Sequence, residues 1–168
     1  MNRQRLLLIA VLVAFGWSVY WAFDTFAVDE KTQMLRVQQD FVTALEERDW
    51  ADVDAWICKD YADDWGQGPA EVKQTMRRVL AGFYVLGIEP TVTHSIAAQG
   101  LGFVKTKLLV EGSGAGLSNT VVAESKRLKE PWVFHWHKRG RWPWSWELVQ
   151  MANPQLMGYK IPKDGLLE

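Results

Sequence analysis

The chain has 168 residues, 48% of them hydrophobic and 23% charged, which is enough for one well-buried core and too few for two ordinary domains with a linker. That balance excludes a disordered chain and a multi-span membrane protein, and the lone Cys58 excludes an intramolecular disulfide or a cysteine-based metal cluster. The formal net charge of −1 conceals an asymmetry: thirteen acidic and four basic residues from Asp24 to Glu71, then seven acidic and thirteen basic residues from Val72 onward.

Leu6 to Phe23 is an uncharged apolar run of eighteen residues, near the lower limit for a helix that spans a bilayer. Arg3 and Arg5 precede it, and Asp24, Asp29 and Glu30 follow. This bias predicts a single-pass anchor with a cytoplasmic N-terminus and the remainder on the periplasmic or extracellular side. Trp17, Tyr20 and Trp21 fall at its outer end, where amphipathic rings prefer the interface. A cleaved signal peptide with its cut near Thr25-Phe26-Ala27 and a buried core helix are the competing readings. Residues 1–28 are thus read as anchor and short linker, 29–153 as the folded domain, and 154–168 as a C-terminal tail.

Asp29 to Arg48 has the spacing of an amphipathic helix, with Met34, Leu35, Phe41, Val42 and Leu45 among charges. Trp50 is expected to pack where that helix stops. Val53, Trp56, Ile57 and Tyr61 predict a short second helix within Asp52 to Gly68, broken by Gly66, Gly68 and Pro69. A third helix is predicted over Pro69 to Phe83, with Pro69 in its first turn, Glu71 at its positive end, and Val72, Met76, Val79, Leu80 and Phe83 on its apolar face.

The remainder reads as strands. Ile88 to Ala97 alternates, with Ile88, Val92, His94 and Ile96 on one face. Phe103 to Glu111 sets Val104, Thr106, Leu108 and Val110 against Lys105, Lys107 and Glu111. Asn119 to Leu128 is read as a third strand, and Gln99-Gly100 and Gly112 to Gly116 as turns. Pro131 to Met151 carries five of the ten tryptophans and is read as a closing hairpin, strands near Trp132–Lys138 and Ser145–Met151. Three helices followed by an antiparallel meander define an α+β domain whose helices cover one face of the sheet.

The first helix with its Trp50 turn, the segment KDYADDWG from Lys59 to Gly66, and the pattern WHKRGRW…WELV in the last hairpin together resemble the nuclear transport factor 2-like superfamily, especially its SnoaL-like branch. The likeness covers about Asp29 to Asn153. It implies a strongly bent antiparallel sheet wrapped around three helices, a cone-shaped, cystatin-like roll with an interior pocket. The superfamily holds isomerases, dehydratases, cyclases, hydrolases and protein-binding modules, and its enzymes use Asp, His or Tyr acid/base pairs inside the cone. Arg141-Trp142-Pro143-Trp144 lengthens the closing turn relative to that pattern, and the apolar N-terminal run is an addition to it.

Asp63 and Asp64 lie beside Tyr61 and Trp65, and a carboxylate enclosed by aromatic rings can serve as a general acid or base. Asp64 is expected to be the more buried of the two. His94, on the apolar face of its strand, is expected to point into the cone and to complete an acid/base pair with Asp64. Tyr61, Asp64, Trp65, His94 and Trp136 form the expected pocket lining. His135 and His137 share a strand face opposite Trp132, Phe134 and Trp136, point outward and lack a third ligand, so no metal is expected. The glycines from Gly112 to Gly116 lack the helix that a phosphate loop needs, and no cofactor is expected.

Arg139, Arg141, Trp142 and Trp144 remain as a membrane or partner surface. Tryptophan favours the bilayer interface and arginine an anionic one. The expected partners are the lipid bilayer through residues 6–23 and an envelope protein or a second copy through the sheet. Nucleic acid is not expected for a domain outside the cytoplasm. The function that results is a membrane-anchored, non-catalytic module binding a small ligand or a protein; an acid/base enzyme built on Asp64 and His94 is the alternative.

Overall fold

The computed structural model describes residues 11–18 and 28–157. Residues 11–18 are helical and exposed. The rest of the apolar Leu6–Phe23 run lies outside the described residues, and among those described no helix is long and apolar enough to cross a membrane.

The folded domain begins with α1 (Glu30–Glu47), whose Met34, Val37, Phe41, Val42 and Leu45 recur every three or four residues and are buried. It ends at Arg48, which adopts a left-handed conformation (φ 59°) so that its own N–H and that of Asp49 reach the carbonyls of Leu45 and Ala44. Asp49 then caps α2 (Trp50–Trp56) by accepting from Ala51 and Asp52 N–H. Trp50 therefore opens the second helix rather than filling a turn before it, and Tyr61 lies in the loop beyond. That loop runs along the last strand, Trp146–Ala152, with Cys58 and Ala62 N–H donating to the Leu148 and Val149 carbonyls, which covers an edge of the sheet. α3 (Pro69–Leu80) follows, with Pro69 in its first turn and Glu71 accepting from Gly68 N–H.

Four strands form one antiparallel sheet in the order β1 (Phe83–Ala98), β2 (Leu101–Gly114), β3 (Trp132–Lys138) and β4 (Trp146–Ala152). Three differences from the sequence expectation matter. First, β1 begins at Phe83, so that residue opens a strand instead of closing the third helix. Second, Ser118–Arg127 is a helix, α4, and not a strand. Val121, Val122, Ser125 and Leu128 fit a helical period as well as a strand period over so short a stretch. The helix is favoured because it seats Ser125 against β2, where its hydroxyl accepts from Val110 N–H at 3.1 Å.

Third, β1 carries a register shift between Val92 and His94. Before it, Ile88 and Val92 face Val110 and Thr106 on the inner side; after it, Ser95 faces Val104, while His94 and Ile96 face Lys105 and Phe103 on the outer side. One extra residue inverts every later side chain. Thr93 fixes that residue by donating its hydroxyl to the Lys105 carbonyl.

The core sits between α1 and the inner face of β2, β3 and β4. Phe41 meets Trp56, Phe134 and Trp136 edge-on, with centroids 5.8 to 6.4 Å apart, a geometry favoured by the ring quadrupoles. The buried Trp136 donates its indole N–H to Gln38 Oε1 at 2.9 Å. Trp146 and Leu148 complete this end, both buried. The expected inward face of Trp132, Phe134 and Trp136 is thus observed, although Trp132 is only half-buried. Packing continues past Asn153, whose side chain is fully buried, accepts from Gln155 N–H and donates to the Glu130 carbonyl.

Candidate functional site

The other end of the domain is hollow. A half-open cavity of about 370 Å³ lies between α3, α4 and the inner face of the sheet. α3 contributes Val72, Met76, Val79 and Leu80; α4 contributes Val121 and Ser125; the strands contribute Ile88, Leu108, Val110, Phe134 and Met151. The α1 end, by contrast, is filled by Phe41, Trp136 and Trp146. Trp65 and Trp132, with centroids 6.0 Å apart, close one wall. The Trp65 indole N–H is satisfied by the Leu156 carbonyl at 2.9 Å, so Trp65 presents carbon to the interior.

The loop from Tyr61 to Gln67 supplies the polar corner. Asp63 is buried: Oδ1 accepts from Trp65 N–H at 3.0 Å and Gln67 N–H at 2.8 Å, and Oδ2 from the Tyr61 hydroxyl at 3.2 Å. These bonds tie down the turn that ends at Gly66, whose φ is 74°. Burial, and after it the adjacent Asp63 charge, pushes the Tyr61 hydroxyl well above the usual phenol range. Tyr61 is a buried hydrogen-bond donor and not a proton acceptor near neutrality.

The expected buried carboxylate is therefore misplaced by one residue. Asp64 is exposed and accepts from Gln150 Nε2 at 3.0 Å on the outer side of the sheet. The turn closed by Gly66 N–H on the Asp63 carbonyl separates the two side chains, and the Trp65 and Gln67 amides hold Asp63 on the inside. His94 is also exposed, turned outward by the Thr93 bulge, and packs on Phe103 at 5.6 Å. Neither residue lines the cavity. Asp64 acts instead on His135, which packs on Phe103 from the other side at 6.1 Å. Burial lowers the His135 pKa, and the Asp64 charge partly offsets that shift.

Of the other expected pocket residues, Trp65 lines the cavity, Tyr61 holds Asp63 behind it, and Trp136 belongs to the packed core. The lining residues that sequence reasoning missed sit on α4, where a strand reading hid their common face. Ionisable groups in the wall are Asp63, engaged threefold, and Glu124, paired with Arg127 at 3.0 Å. Among the described residues, no group of three His, Cys, Asp or Glu side chains could hold a metal ion. A helix does follow Gly112 to Gly116, contrary to expectation. Gly112 and Gly114 are nevertheless strand residues paired with Leu86 and Phe83, and a Cβ on Gly114 would strike the Gly82 carbonyl, so they serve close strand packing.

Arg139, grouped by sequence with an external surface, is largely committed to the domain. Its guanidinium donates to Cys58 Sγ at 3.2 Å and lies 3.5 Å from Asp60 and 3.6 Å from Glu147. Trp142 and Trp144 are 54% and 52% exposed and stack on each other at 5.4 Å with planes 11° apart.

No family model matches the chain, and no curated protein matches it. Solved structures do. The architecture is similar to that of a nuclear transport factor 2-like protein of unknown function from Pseudomonas putida KT2440, at TM-score 0.54 and 10% identity over 73% of this chain and 84% of that one. Bd1075 from Bdellovibrio bacteriovorus matches at TM-score 0.53 and 10% identity over 73% of this chain and 39% of that one. A candidate dehydratase of the same fold family from Streptomyces avermitilis matches at TM-score 0.52 and 13% identity over 71% and 91%. At these identities the likeness shows the fold alone: an α+β domain of nuclear transport factor 2-like architecture with a four-stranded antiparallel sheet.

Proposed function

We propose that this domain is a non-catalytic binding module that takes a small, predominantly apolar ligand into the cavity between α3, α4 and the sheet. The observation that carries this reading is the lining. A space of about 370 Å³, the size of a small-molecule site, is walled by aliphatic and aromatic side chains, and its ionisable groups are already engaged by partners of their own. An acid/base enzyme needs a titratable side chain facing its substrate. Asp64 and His94, the pair that the sequence offered for that role, lie outside the cavity. The KDYADDWG segment and the closing-hairpin pattern WHKRGRW…WELV support a place for the domain in the SnoaL-like branch of this fold.

The Leu6–Phe23 run makes the domain a single-pass envelope protein with its N-terminus in the cytoplasm. On this reading the outer face of the sheet, where His94, Ile96, Phe103 and His135 lie side by side, takes an envelope protein or a second copy. The test is extraction of the full chain, purified alongside a Val121→Trp variant that fills the cavity, followed by mass spectrometry of the organic phase. An apolar species near one equivalent with the wild type and lost in the variant is expected. Equal lipid content in the two would refute the ligand reading.

A further inference from the structure

The closing loop and the entry of the chain into the domain lie at the same end. Glu30 Oε2, in the first turn of α1, accepts from Gly100 N–H at 3.1 Å in the β1–β2 turn. Gly100 accepts in turn from Lys138 N–H at 2.7 Å, and Lys138 Nζ donates to Gln33 Oε1 at 2.6 Å. Lys138 is the last residue of β3, and the loop that follows carries Trp142 and Trp144. This proximity is invisible in the sequence, which separates Glu30 from Trp142 by more than a hundred positions.

Six residues, 24 to 29, connect Phe23 to Glu30, and even fully extended they reach only about 20 Å. An anchored Leu6–Phe23 run therefore holds this end of the domain against the bilayer. The surface presented there suits the interface. Two stacked indoles, each more than half exposed, stand beside the exposed Arg141, and Leu101 and Ile96, also at least half exposed, lie at the neighbouring β1–β2 turn. The loop is held in shape at its base: Arg139 N–H donates to Ser145 O, Ser145 N–H to Trp142 O, and Pro143 between the indoles is buried. The Arg139 guanidinium fastens that base to Cys58, Asp60 and Glu147.

We propose that the Arg139–Ser145 loop seats Trp142 and Trp144 in the headgroup region of the bilayer, fixing the orientation of the tethered domain. The proposal rests on the membrane anchor put forward above. Rigid, amphipathic rings lose little freedom on insertion and favour that depth, and an arginine at their side suits lipid phosphates.

The test uses the full chain in phosphatidylcholine vesicles with and without bromine on the acyl chains. Replacing Trp17 and Trp21 by Phe leaves eight tryptophans, and flotation reports whether the anchor holds. With the chain floating, brominated lipid is expected to remove up to the share of emission contributed by two of those eight. That loss should disappear on adding Trp142→Phe and Trp144→Phe and persist on adding Trp132→Phe instead. A floating chain whose quenching ignores Trp142 and Trp144 would overturn the docking while leaving the anchor intact. A chain that does not float overturns both.

Discussion

Asp63 and Asp64 differ by one position and, in this fold, by the whole thickness of a loop. Asp63→Ala removes the acceptor for Trp65 N–H, Gln67 N–H and the buried Tyr61 hydroxyl, three donors in or beside the cavity wall. A hydrogen bond to a carboxylate is worth about 1.5–3 kcal/mol. The two amides are only partly buried and recover some of that from water, so the substitution should cost about 3–5 kcal/mol, a large part of a domain's stability. Asp63→Asn keeps an oxygen for the two amides and disturbs only the Tyr61 bond, at about 1–2 kcal/mol. Asp64→Ala loses an exposed bond to Gln150 and should cost less than about 1 kcal/mol. Urea unfolding of the full chain, followed by tryptophan emission, gives the midpoints and slopes that rank the three. A cost for Asp63→Ala within 1 kcal/mol of that for Asp64→Ala would refute the assignment of Asp63 as the residue that shapes the cavity's polar corner.

Because Tyr61 has a folded pKa raised above the unfolded value of about 10, its contribution is complete below that pH and is lost as pH rises through the folded value; the urea midpoint should drop in alkali, and Tyr61→Phe should flatten that drop. His135 has the opposite dependence. Its folded pKa is depressed by burial, so its stabilising effect is present above the unfolded value of about 6.5 and lost as pH falls below it; Asp64→Asn, by removing the offsetting charge, should steepen the acid loss, and an unchanged pH profile would contradict the pairing. Gly102→Ala places a Cβ against Met34 Sδ and within 2.8 Å of the Ile96 carbonyl, and calorimetry should show a loss of about 1–3 kcal/mol.

The fold was legible wherever a long period constrained it. Eighteen residues of α1 and the alternation of β2 leave little freedom, and Trp132, Phe134 and Trp136 face the side their spacing demands. Ten residues of α4 satisfy either period, and only the neighbouring β2 decides between them. The site was less legible because it turns on single residues. The parity of β1 reverses at Thr93, and nothing local in the sequence Val92-Thr93-His94 marks a bulge: Thr is as good a strand residue as its neighbours. What fixes it is the Lys105 carbonyl, which belongs to another strand. The same holds for Asp63, selected over Asp64 by donors that become donors only when the loop closes on them.

These two single-residue effects act together on function. The bulge sends His94 outward, away from the cavity, and the loop commits Asp63, in the cavity wall, to three hydrogen bonds, so neither side chain is presented to a ligand as a free acid or base. Most of the remaining wall is carbon, from residues such as Val72, Met76, Leu108, Val110 and Val121, which reward burial of apolar surface and offer no directional contact. Deleting Thr93 would test directly whether β2 sets which side chains face inward. With the extra residue gone, Val92 would stay opposite Thr106 and His94 opposite Lys105 in unbroken alternation, so His94 and Ile96 would keep the outer side and Ser95 the inner one beside Val104. The deletion should therefore be mild, lowering the urea midpoint by no more than the loss of the exposed Thr93 hydroxyl bond to the Lys105 carbonyl, about 1 kcal/mol. Amide exchange should show the β1–β2 pairs from His94 to Ala98 as protected as in the parent chain. Protection lost there would mean that the pairing beyond the bulge depends on Thr93 itself and not on β2.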